Sequence, residues 1–284
     1  MKGSSVNLDA VKDYKVLVVG DAIYDRYRFC ESMGRSTKDM IISAKFQREE
    51  QYQGGVWAAA AHIRDLCKSV DVWHDDVAAV NTKYIGRYSQ KLFSVHETVN
   101  LAAIQVFENI GAYDVVIVFD YGHGFLKAEL RERISKQAKF LAVNAQTNSS
   151  NFGFNRVNEK WPEANLCVID EVEARLVAHE AEAPIEDVIR KLPYPKIIVT
   201  MGGIGAIGYD GEFHYDKALT DRPVDLLGAG DAVLAVVAPF AKAGWPMKDL
   251  VHLGNAAGAV KVGILGHQQH VTRAALEAQL NQKG

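Results

Sequence analysis

At 284 residues the chain is long enough to bury a large core, and 48% hydrophobic with 24% charged residues is ordinary for a globular protein. A formal net charge of −3 removes any global electrostatic case for nucleic acid or an anionic membrane as partner. Three widely spaced cysteines, Cys30, Cys67 and Cys167, form no CxxC pair, which excludes a disulfide framework or a thiolate zinc site, and no run approaches the ~18 apolar residues of a membrane span.

The leader MKGSSVNLDAVKDYK has no apolar signal-peptide core, so a cytoplasmic location is expected. KVLVVGD, Lys15 to Asp21, is a short β-branched run bounded by a turn signal and reads as a buried strand. The next stretch, about 27–51, alternates apolar and polar residues and carries too many charges for a buried parallel strand. It is expected to form exposed or edge strands of a small flap, and 81–97 has the same character and is its candidate partner. DVVIVFDYGHG, Asp114 to Gly124, returns to the buried pattern, as do KFLAVNAQ, ANLCVIDE and KIIVTMGGIG. Helical stretches such as KAELRERISKQA, DEVEARLVAHE and APIEDVIRKL lie between them. Strands alternating with helices indicate βαβ units and a mostly parallel sheet covered on both faces. A single α/β domain over 1–284 with a small β-rich lid is expected.

Ligands of open parallel sheets bind beyond the carboxyl ends of the strands. Asp21, Asp120, Asn144, Asp170 and Thr200 all fall at or just after such ends, which makes a shared cleft the expected site. The chemistry concentrates in VDLLGAGDAV, Val224 to Val233, which runs into an apolar helix. The glycines permit close backbone approach, and the unsatisfied N–H groups of a first helical turn attract anions. Asp231 then has two readings: a base accepting the proton of a hydroxyl that attacks a phosphoryl group, or a simple N-cap of the helix.

The wider sequence resembles a known family. DLLGAGDAVLA is similar to the DTxGAGD signature of the ribokinase-like, phosphofructokinase-B type carbohydrate kinases. VLVVGDAIYDRY resembles the family's first strand, QYQGGVWAAAAHI its Gly-Gly segment, VTMGGIGAIGYDG its nucleotide-side strand and turn, and GNAAGAVKVGILG its C-terminal helix. These matches occur in family order. Within the family, GRSTKDM, REEQYQGG, VIVFDYGHGFL and VNAQTNSSNFGFN resemble the kinase domains of bacterial ADP-heptose synthesis that accompany sugar nucleotidyltransferases. No nucleotidyltransferase signature such as HxGH is present.

The resemblance implies a three-layer α/β/α fold, ATP and Mg2+ as cofactors, a sugar or sugar phosphate as acceptor, and a homodimer through the lid. It implies Asp231 as the base and the backbone amides of Gly228, Ala229 and Gly230 as an anion hole. Asp21 and Asp25 would hold sugar hydroxyls, and Gly54 and Gly55 would admit the sugar. Arg35 and Lys38 would meet a phosphate on the substrate, or else remain solvated charges. Thr200, Gly202, Gly203 and Gly205 would contact the nucleotide, and Asn255 either the adenine edge or a helix end. Glu173 matches the glutamate of the family's NxxE motif, acting on magnesium; its asparagine is replaced by Asp170. Two further departures stand out. The segment before the Asp120 strand is short, and the loop from Asn144 to Asn155 lacks the lysine of the DPKG pattern found in many relatives. His123 in DYGHG reads as a lone loop histidine. Two alternatives therefore stay open, a catalytically weak or inactive binding protein of this fold and a kinase of a non-sugar alcohol.

Overall fold

The computed structural model of the chain describes residues 7–75, 77–87, 90–97, 109–147, 151 and 153–282. Eight strands form the main sheet: β1 (Lys15–Gly20), β4 (Ser69–Trp73), β7 (Val115–Asp120), β8 (Leu141–Ala145), β9 (Leu166–Asp170), β10 (Ile197–Thr200), β11 (Gly205–Tyr209) and β12 (Phe213–Lys217). Their spatial order is β12-β11-β10-β9-β8-β7-β1-β4. All pairings from β10 to β4 are parallel, and only the β10–β11 and β11–β12 hairpins are antiparallel. The continuous apolar runs of β1 and β7 are buried along nearly their whole length, because both faces of the sheet are covered.

One face packs against α1 (Val56–Ala61), α6 (Ala229–Lys242), α7 (Met247–Val262) and α8 (Arg273–Leu280), with Val16, Val18, Ile117 and Phe119 pointing into that layer. The other face, carrying Leu17, Val19, Val116 and Val118, packs against α2 (Ala128–Gln137), α3 (Val157–Lys160), α4 (Glu171–Ala178) and α5 (Ile185–Arg190). The period of two along each strand divides its side chains between the two cores. This is the expected three-layer arrangement. Helix α6 is apolar nearly all round, with every residue from Ala232 to Ala241 buried. It lies between the sheet and α7, so the loop that enters it is held by a rigid element.

A second, four-stranded sheet has the order β3-β2-β5-β6. Its strands are β2 (Ala22–Arg35), β3 (Ile42–Gly55), β5 (Ala79–Ile85) and β6 (Lys91–Glu97). The segments 27–51 and 81–97 thus share one sheet, in which β2 pairs antiparallel with β3 and parallel with β5. The strands begin earlier and end later than their charge pattern suggested. Ala22 already pairs with Gly55, so the hairpin grows directly from the end of β1, and its root belongs to the cleft. No helix among the described residues is long and apolar enough to cross a membrane.

Candidate active site

Gly228 caps α6 in the left-handed region, with φ of 72°, where a side chain would be strained. Asp231 sits in the first turn of α6, three residues beyond that cap. Gly228, not Asp231, is therefore the N-cap, and no side chain caps the helix. Around the Asp231 carboxylate lie the Tyr121 hydroxyl, the His267 imidazole and the Lys261 side chain. Burial raises the Asp231 pKa, with Asp25 adding to the rise, while Tyr121, His267 and Lys261 restrain it. The result is a carboxylate more basic than an exposed aspartate.

The wall formed by β1, β7 and the hairpin root carries the other aspartates. Asp21 follows β1 and accepts backbone N–H bonds from Tyr121 at 2.9 Å and from His123 and Phe125 at 3.4 Å. Burial, with Asp120 and Asp75 nearby, pushes its pKa up to about 7. Asp25 is paired on both oxygens: Lys83 of β5 lies 2.6 Å from Oδ1 and His267 lies 3.2 Å from Oδ2. Burial pushes Asp25 up, but His267 and Lys83 outweigh it and its pKa is lowered. Gly54 faces this pair; a Cβ there would fall 2.1 Å from Asp25 Oδ2. At Gly55, with φ of 55°, a Cβ would fall 2.6 Å from the Asp21 carbonyl oxygen. Both glycines are required by close approach at the hairpin root.

A cavity of about 950 Å3 is lined by the Gly228–Asp231 turn. Thr200, Gly202, Gly203, Gly205 and Asn255 all line it, together with apolar Leu226, Ala259 and Val262. The 3-10 turn Gly202–Ile204 links β10 to β11, and Gly202 at its start and Gly205 just after it have positive φ. Asn255 lies in mid-α7 rather than at a helix end, and its amide nitrogen donates to the Asp216 and Lys217 carbonyl oxygens. That bond ties α7 to β12 on the cavity rim.

Asp170 and Glu173 also line the cavity, and they form a capping box at the start of α4. Asp170 Oδ1 accepts from the Glu173 N–H at 2.7 Å, and Glu173 Oε2 accepts from the Asp170 N–H at 3.0 Å. Glu173 Oε1 takes the Thr147 N–H at 2.8 Å. Burial, reinforced by Asp170, pushes the Glu173 pKa up to about 8. The described residues hold no ready cluster of three metal-ligating side chains. Magnesium is usually held by one or two carboxylates plus substrate phosphates, which this pair fits: Asp170 is exposed to the cavity and Glu173 is short of compensating positive charge.

The structure thus gathers Asp21, Asp25, Gly54 and Gly55 at the hairpin root near Asp231 and the glycine turn, and places Thr200, Gly202, Gly203, Gly205 and Asn255 around the cavity that the turn lines. Arg35 and Lys38 are elsewhere. They occupy the exposed tip of the β2–β3 hairpin, on the order of 40 Å along the strand from its root. His123 lines a small cavity of about 90 Å3 with His96, Asn81, Tyr121 and Gln146. Lys83, Lys261 and Tyr121 escaped the sequence reading, as did the place of His267. None carries a local pattern, and each reaches the site from a different element.

A family model for pfkB family carbohydrate kinases matches residues 77–273. The chain belongs to that family. Among relatives of this pfkB-family chain, the bifunctional protein HldE of Campylobacter jejuni subsp. doylei is 23% identical over 288 residues, covering 89% of the chain and 62% of HldE. HldE of Haemophilus ducreyi is 25% identical over 297 residues, covering 89% and 61%. HldE of Hyphomonas neptunium is 29% identical over 156 residues, covering 53% and 32%. The chain therefore spans between one third and three fifths of the length of these relatives. The fold is shared with ribokinase of Thermotoga maritima, at a TM-score of 0.75 and 15% identity, covering 95% of this chain and all of that one. An Arabidopsis thaliana ribokinase, solved with ribose and ATP, superposes at a TM-score of 0.71 with 14% identity, covering 96% and 100%.

Proposed function

We propose that the chain is an ATP-dependent phosphotransferase acting on a hydroxyl of a sugar or sugar phosphate, a heptose phosphate being the first to test. The observation that carries this reading is that Asp231 lines the large cavity while the buried Asp25 also acts on its carboxylate. The acceptor hydroxyl attacks the terminal phosphorus of the nucleotide while its proton passes to Asp231. The bond to the departing ADP oxygen breaks, and the first-turn amides at Gly228, Ala229 and Gly230 receive the charge on the transferring group. The raised basicity of Asp231 suits proton acceptance. Asp21 and Asp25 orient the acceptor through its hydroxyls.

On the donor side, the glycines of the β10–β11 turn let the phosphates approach the backbone, and Leu226, Ala259 and Val262 supply an apolar bed for the base. Asp170 and Glu173 would hold Mg2+, which supplies neutralisation of phosphate charge when bound. The four-stranded sheet is read as a lid on one kinase domain spanning 1–284. Its exposed Met33, Ile42, Phe46 and Phe93 support a homodimer through that sheet. The three free cysteines fit a reducing, cytoplasmic setting. Neither nucleic acid nor membrane is among the proposed partners.

The test is ADP formation across a panel of sugar phosphates, with Asp231→Asn beside the native chain. Turnover is expected to fall at least 100-fold in the variant, with affinity for a non-hydrolysable ATP analogue retained; unchanged turnover removes Asp231 as the base. A second reading, a binding or regulatory protein of this fold, is favoured by one observation: Asp25 already has both oxygens engaged by Lys83 and His267. Analogue binding without ADP formation from any acceptor, a nucleoside or other non-sugar alcohol included, would support it.

A further inference from the structure

Lys261, in the last turn of α7, has no exposed surface at all. A lysine is rarely buried, and its ammonium persists there only where other groups replace water. Its Nζ donates to the Gly266 carbonyl oxygen at 2.8 Å. Burial lowers its pKa, Asp225, Asp231 and Asp25 favour the charged form, and Lys83 opposes it. The buried imidazole of His62 lies in the same field, as do His267 and His270.

The two loops that meet here are stitched together from both directions. Asp225 accepts the Gly266 N–H at 3.0 Å and the Leu227 N–H at 3.2 Å, and it is also paired with Lys91 at 2.8 Å. Lys261 takes the carbonyl of the same Gly266. The stitching converges on the helix cap. A methyl group placed on Gly228 would lie 3.5 Å from Lys261 Cε, 3.2 Å from His267 Cε1 and 3.7 Å from Asp231 Oδ2. Lys261 is not among the residues lining the large cavity, so it can act on a ligand there only through the turn.

We propose that Lys261 is a positioning residue for the terminal phosphate of a nucleoside triphosphate, a fixed internal cation behind the Gly228–Gly230 turn that holds its amides and adds positive potential to them. This rests on the reading of that turn as the point of phosphoryl transfer. An ammonium in a water-excluded site acts over several ångströms with little screening, and it reinforces the partial positive charge of the α6 N-terminus. Its effect should grow with the charge nearest the turn, so it discriminates triphosphate from diphosphate.

Calorimetric titration of the full chain with ADP and with a non-hydrolysable ATP analogue tests this, using Lys261→Met and Lys261→Gln. Glutamine keeps a donor for the Gly266 carbonyl while losing the charge. Both variants are expected to bind the analogue about 10-fold more weakly, or about 1.4 kcal/mol, with ADP affinity within about 2-fold of native. Equal weakening toward both nucleotides marks a merely structural role and overturns the proposal, as does native analogue affinity in Lys261→Gln. If both neutral variants lose ADP binding through misfolding, Lys261→Arg decides. It must keep the native preference for the analogue, and loss of that preference with ADP binding intact overturns the idea. These binding readouts are independent of turnover, so absence of ADP formation from every acceptor would remove the kinase reading without deciding the role of Lys261.

Discussion

The Lys83 ammonium of β5 lies 2.6 Å from Asp25 Oδ1 of β2, and both side chains are almost wholly buried. This pair joins the two parallel strands of the smaller sheet at the point where that sheet meets the cleft, since Asp25 is in register with Asn81 and Tyr27 with Lys83. His267 engages the other Asp25 oxygen, so one carboxylate ties together β2, β5 and the loop after α7.

Breaking one side of this arrangement leaves a buried charge short of a partner, which costs about 3–5 kcal/mol for an isolated buried pair. Lys83→Met is expected near the lower end, about 3 kcal/mol, because His267 remains on Oδ2. The double variant Lys83→Met with Asp25→Asn should recover part of that loss. Urea unfolding of the four proteins measures the coupling, and strictly additive losses would show that the pair does not interact.

Gly54→Ala places a Cβ 2.1 Å from Asp25 Oδ2, an oxygen that cannot simply swing away because His267 holds it. The hairpin root must shift, at a cost of about 1–3 kcal/mol. Acceptor turnover should fall at least 10-fold, while affinity for ADP, which the proposed function assigns to the large cavity, stays within about 2-fold. Steady-state kinetics alongside calorimetry separates the two effects.

Gly205→Ala should be more damaging to stability and to nucleotide binding. Its φ is 120°, and the new Cβ would lie 2.1 Å from the Asp216 carbonyl oxygen and 2.7 Å from the Ala218 nitrogen. Backbone atoms of a paired strand cannot yield as a flexible side chain can. A loss of roughly 3 kcal/mol or more is expected from the combined strain, with weakened ADP binding, read by thermal unfolding with and without nucleotide.

Glu173 carries a stability dependence on pH. Its pKa is raised to about 8 in the folded chain, by burial first and by Asp170 second, against about 4.3 for an unfolded glutamate. Between those values the folded state binds more protons, so its stabilising protonated form is lost and stability falls as pH rises from about 5 to 8. Asp21, raised to about 7, acts in the same direction. Glu173→Gln should therefore flatten, without abolishing, the decline of Tm across that range. At roughly 2–4 °C per kcal/mol for a chain of this size, differential scanning calorimetry at several pH values resolves the change. An unaltered slope would mean that Glu173 is already ionised in the fold.

Much of the central sheet was legible in the residues, because strands covered on both faces must be continuously apolar and polar residues recur where each strand ends. Asp120, Asp170 and Thr200 each close a strand of that sheet. The smaller sheet was legible in character but not in extent. Gly54 and Gly55 belong to its root, yet glycines before an alanine-rich helix signal a turn, and only pairing with Ile23 and Ala22 makes them strand. The two readings of Asp231 could not be separated locally, since the cap depends on the left-handed backbone of Gly228 rather than on which polar side chain lies nearby.

The sequence by itself determined the alternation of buried strands and helices, the glycine-rich entry to α6 and its aspartate, since these follow from short-range periodicity and backbone freedom. Tertiary structure alone decided which groups surround that aspartate and its neighbour Asp25. Lys83, Lys261 and His267 come from a strand of the second sheet, the end of α7 and the loop beyond it, and their burial depends on Asp25, Asp225 and Asp231 being brought to the same place. A buried charge is tolerated only when distant partners replace its water, and that condition has no signature in neighbouring residues.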